Sequence, residues 1–135
     1  MTMDWGKAIF ATICTGLTWL VGGWDVSTII LCVFMVMDFI SGWLCARQSK
    51  TLSSKVGSAG LAKKLNVVII LVVAVGLDRL IGDEAGAFRA LVCYFYIANE
   101  GLSILENAVS LGLPVPDKLR SVLAQLTEKK AEKKD

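Results

Sequence analysis

Apolar residues fill four long stretches of the chain, and polar residues collect between them and at the end. The first run, Ala8–Gly23, is bracketed by Trp5 and Trp24, about 20 residues apart, as interfacial anchors of a membrane helix would be. Its charge-free part is short for a hydrocarbon core of about 30 Å. The second run, Val26–Ala46, is interrupted only by Asp38. The third, Leu65–Gly82, carries Asp78 and Arg79 near its far end, and Gly82–Gly86 forms a short turn into the fourth, Ala90–Leu113. The pattern predicts an all-α membrane protein, a small bundle of four transmembrane helices at about 6–24, 26–46, 65–82 and 88–113, or three if the first run does not cross. Residues 1–113 then form the membrane domain. Residues 114–135 form a cytoplasmic segment, in which Leu119, Val122, Leu123 and Leu126 mark a short amphipathic helix after Pro116. The ending KKAEKKD is expected to be a solvated tail.

Charge sets the orientation. The stretch 47–64, taken as a loop, holds Arg47, Lys50, Lys55, Lys63 and Lys64 and no acid, and the tail is also basic. The positive-inside rule places both in the cytoplasm, and four crossings return the N-terminus there as well. The first run is not a clean signal peptide, because GGWD stands where a cleavage site would be.

The polar residues inside the apolar runs are the candidates for function. Asn99, Glu100, Ser103, Glu106 and Asn107 fall within an arc of about 120° on one helix. A carboxylate at the centre of a membrane helix costs roughly 2.5–3.5 kcal/mol on insertion scales. The stripe is therefore expected either to be satisfied within one bundle or to line a pore or oligomer face. Asp38, Ser41, Gly42 and Cys45 share a face of the second run, which implies helix packing or gating. Asp78 marks an interface, takes part in packing, or pairs with Arg89 across the turn. On the first run Ala8, Thr12 and Gly16 recur every four residues, a spacing that lets helices approach closely.

Composition narrows the chemistry further. The 135 residues are 55% hydrophobic and include no histidine, which removes the commonest general base and metal ligand. The four cysteines lie apart in apolar runs, as small hydrophobes do. No nucleophile–base pair, metal cluster or phosphate loop appears, so no enzyme, cofactor or metal is expected. A net charge of +2 is too small to imply a nucleic-acid partner.

Several segments carry a resemblance. MDFISGWLCA at 37–46, TLSSKVGSAGLAKKL at 51–65, GLDRL at 76–80 and FRALVCYFYIANEGLSILENAVSLGLPVPDKL at 88–119 resemble the phage holin family that includes the clostridial toxin-secretion holins. The resemblance implies a protein that accumulates in the host cytoplasmic (inner) membrane, oligomerises with itself and opens lesions at a set time. An endolysin, or a large toxin, then reaches the cell wall without direct contact being required, and an antiholin is a further partner. Met1-Thr2-Met3 resembles the paired starts of some holins, although no charge separates the two products. The alternatives are a small ion or proton transporter or channel subunit that uses the carboxylates, and an antiholin-type regulator.

Overall fold

A computed structural model describes Thr2 and residues 4–128, without the side chains of residues 126–128. Met1, Met3, the KKAEKKD tail and the side chain of Leu126 lie outside the described residues. Five helices follow in order: α1 Trp5–Val21, α2 Val26–Gln48, α3 Ser54–Ile81, α4 Ala87–Ser110 and α5 Asp117–Glu128. Among the described residues there is no strand.

The helix ends follow from local chemistry. Asp25 accepts a hydrogen bond from the Thr28 amide at 3.0 Å and opens α2, and Ser53 accepts one from the Val56 amide at 3.2 Å and opens α3. Gly22 ends α1 and Gly82 ends α3, each in the left-handed conformation. The basic stretch 47–64 is mostly helix rather than loop, a correction to the sequence reading. Only five residues, 49–53, separate α2 from α3. Once Ser53 supplies the cap, Ala59, Leu61, Ala62, Lys63 and Lys64 are good helix formers, and their charge does not interrupt the hydrogen-bond ladder.

α4 packs against α2, α3 and α5, and α1 packs against α3. α2 and α4 run parallel, with α3 antiparallel to both. The core is built from Leu31 and Met35 of α2, Val67, Leu71 and Val75 of α3, and Cys93 of α4, with Val92, Tyr96 and Ile97 packed against it. Many large apolar side chains outside this seam are exposed. α1 buries none of its residues, and Ile9, Phe10, Ile13 and Trp19 are all exposed. A surface of this kind suits lipid better than water.

By length and composition two helices, α2 and α3, are apolar enough to cross a membrane, not the four expected. α1 is apolar but has 17 residues, about 25 Å against a hydrocarbon core of about 30 Å. α4 has the length, with 24 residues, but Asn99, Glu100, Ser103, Glu106 and Asn107 dilute its apolar character.

The amphipathic segment after Pro116 forms α5 as expected. It turns back antiparallel to α4 and seats Leu123 against Gly101, where a Cβ would stand 3.1 Å from the leucine methyl.

Candidate functional site

Two polar clusters hold the helices together, one near each end of the α2–α4 pair. The first joins the polar face of α2 to that of α4. Asn107 donates from its side-chain amide to Asp38 at 3.2 Å and to the Ser41 hydroxyl at 2.9 Å. The Cys45 thiol donates to the Asn107 carbonyl at 3.3 Å, and Ser103 lines the adjoining cavity with Asp38. Gly42 faces this crossing, where a Cβ would make ordinary contact with the Asn107 amide nitrogen at 3.7 Å. Lys64 of α3 closes the cluster, its ammonium bridging Asp38 of α2 and Glu100 of α4. All three side chains are largely buried. Three helices are thus fastened by one cation shared between two acids.

The α4 stripe is divided by this arrangement. Glu100, Ser103 and Asn107 turn inward. Asn99 and Glu106, which lie at the trailing edge of the same arc, are exposed. Glu106 lines a small cavity with Arg120 of α5.

The second cluster surrounds the turns 22–25 and 82–86. Asp78 is 4% exposed and accepts hydrogen bonds from the amides of Phe88 at 3.0 Å and Arg89 at 2.8 Å. A residue of α3 therefore caps the first turn of α4, which its own N-cap, Gly86, cannot do with a side chain. The Arg89 guanidinium points elsewhere. It donates to the carbonyls of Val21 and Gly23, each at 2.8 Å, to both Asp25 oxygens at 2.6 and 3.1 Å, and to the Thr28 hydroxyl. It holds the Asp25 carboxyl well below the usual carboxylate range. Gly22 makes room for it: a Cβ at this position, where φ is +84°, would stand 2.6 Å from the Arg89 Nε. Beside this cluster Arg79 lies over the Trp19 ring, 3.9 Å from its centroid, and donates to the Trp19 carbonyl at 2.5 Å.

A pairing of Asp78 with Arg89 was one of the readings the sequence left open, and the hydrogen bond is made by the Arg89 amide. It missed Lys64 as a partner of the carboxylates. Ala8, Thr12 and Gly16 remain exposed on α1, with the Thr12 hydroxyl donating back to the Ala8 carbonyl at 2.9 Å. Among the described residues no group of three or more Cys, Asp or Glu side chains is placed to hold a metal ion.

A family model described as the bacteriophage holin family matches residues 15–128. The chain belongs to the bacteriophage holin family. Membership in it points to a non-enzymatic membrane protein, in keeping with the two apolar helices. Among holin relatives, a protein of Bacillus phage phi105 named a probable holin is 33% identical over 110 residues, covering 78% of this chain and 80% of its own. An uncharacterised 14.9 kDa protein of Clostridium perfringens is 44% identical over 128 residues, with 95% of each chain covered. An uncharacterised Listeria monocytogenes protein is 38% identical over 114 residues, covering 84% of this chain and 81% of its own. No solved structure matches this holin-family chain.

Proposed function

We propose that this chain is a phage holin, which self-associates in the host cytoplasmic membrane and opens lesions through which an endolysin, or a large toxin, reaches the cell wall. What carries the reading is the divided stripe of α4 on a family member. Glu100 and Asn107 are engaged within the subunit, while Asn99 and Glu106 are exposed, Asn99 beside Lys63 and Asn66 and Glu106 beside Arg120. Polar groups facing lipid are costly, and a second copy offers them partners. Exposed α1, with Ala8, Thr12 and Gly16 on one face, gives copies a surface for close approach. The engaged half of the stripe rests on a cation shared by two acids. That arrangement can exchange its partners for those of a neighbour, so that Asp38 and Glu100 become part of a wetted lesion wall. In this topology α2 and α3 cross the bilayer, with the basic end of the bundle and the C-terminus cytoplasmic.

The test is expression with a cytoplasmic endolysin while turbidity is followed. Abrupt lysis is expected for the wild type. Glu106→Leu and Glu100→Leu are expected to insert normally and to delay or abolish lysis, and wild-type timing in both variants would overturn the pore-face assignment. Continued growth with ion flux would make the protein a transporter or channel subunit. Protection against lysis by another holin would make it an antiholin.

A further inference from the structure

The first half of α3 carries two glycines, Gly57 and Gly60, on one face of a helix. Glycine is the poorest helix former after proline, so two on one face call for a reason. At Gly60 packing gives no strong reason, since a Cβ there would make ordinary van der Waals contact with the Phe39 ring at 3.8 Å. Gly57 has none, because a Cβ there would meet nothing within 4 Å. The bare strip forms one wall of a cavity of about 250 Å³, and Phe39 and Trp43 of α2 form the other.

The chemistry of this groove is amphiphilic. Its walls are aromatic and apolar, and Leu52 and Val56 at its rim are exposed. Lys63 lines it, is exposed, and has no ion-pair partner among the described residues. Arg47 stands over Trp43, 5.5 Å from the ring centroid. Asp38, the one carboxylate of the lining, is already engaged by Lys64. Trp43 lies about 25 Å along α2 from Val26, the depth at which interfacial tryptophans sit in a bilayer.

We infer that the groove between α2 and the first half of α3 binds one anionic phospholipid, with its phosphate at the level of Trp43, met by Lys63 reaching toward the start of α3, and an acyl chain running inward past Phe39. Basic pockets between membrane helices recognise lipid head groups in this way. The site rests on the membrane reading of the chain but not on lysis. It adjoins the Lys64 bridge, so its occupant wedges the same pair of helices.

Native mass spectrometry of the full chain in mild detergent tests this, with phosphatidylglycerol, phosphatidylcholine or glycerol phosphate added in turn. One phosphatidylglycerol is expected to remain bound, at least fivefold more than phosphatidylcholine. Gly57→Leu places a side chain in the open groove and should lower retention at least fivefold. Lys63→Gln, a change at an exposed position, should remove the preference for the anionic lipid. Equal retention of the two lipids, wild-type retention by either variant, or equal occupancy by glycerol phosphate would overturn the site. None of these readings depends on lysis, so failure here would leave the holin assignment untouched.

Discussion

The two ends of the bundle use the same kinds of residue in opposite ways. Around Arg89 one guanidinium is spread over backbone carbonyls, a carboxylate and a hydroxyl, and Asp78 is spent on backbone amides. The backbone groups are fixed by the helices and turns that own them, so this end is a lock with one arrangement. The contacts of Lys64 itself are side chain to side chain, and its one ammonium serves two carboxylates. Nothing in the backbone ties that cation to its place. The Arg89 end is fixed to backbone groups, and the Lys64 bridge rests on side chains.

The sharpest way to break this comparison is Lys64→Met. It leaves Asp38 and Glu100 facing each other without a counter-ion, a loss of about 3–5 kcal/mol for a buried pair deprived of one partner. The expected outcome is a large fall in the thermal midpoint of the protein in detergent, partly restored by adding Glu100→Gln. No restoration would show that Lys64 acts independently of Glu100. Gly22→Ala tests the opposite end. A methyl 2.6 Å from Arg89, on backbone with positive φ, should cost about 1–3 kcal/mol and lower the same midpoint. A midpoint equal to wild type would mean that Arg89 has room to move and the lock is loose.

The smallest effect concerns pH. Arg89 lowers the folded-state affinity of Asp25 for protons, so its contribution is fully present above the unfolded value of about 3.9 and fades as the pH falls below it. The Asp25 side chain is 55% exposed, which keeps the effect within the range of a surface pair, under about 1 kcal/mol. The difference in midpoint between wild type and Asp25→Asn should therefore shrink from pH 6 to pH 3. A constant difference would assign the effect to the Thr28 cap rather than to the ion pair.

Much of this was legible in the sequence. Apolar periodicity placed α1, α2, α4 and α5 to within a few residues, and the polar faces of α2 and α4 were recognised separately. That they meet each other was not legible, because a single sequence shows which positions share a face of one helix but not which face it opposes. Lys64 was counted only as positive charge setting the orientation. It lies at the edge of an apolar run, where a long side chain reaches inward as easily as outward. The start of α3 at Ser54 was missed for a related reason, since serine, glycine and lysine suggested a loop where one capping hydroxyl suffices to begin a helix.

The contact between Leu123 and Gly101 has a consequence of its own. Gly101 lies nine residues before the end of α4, about 13 Å along the axis. A bilayer and α5 cannot both cover that notch. The deeper α4 is immersed, the more lipid must be displaced to keep α5 docked, and the more charge from Lys118 and Arg120 is drawn toward the hydrocarbon. Immersion and docking are therefore rivals, and the posture of the C-terminal helix becomes a gauge of how far the neighbouring helix has sunk.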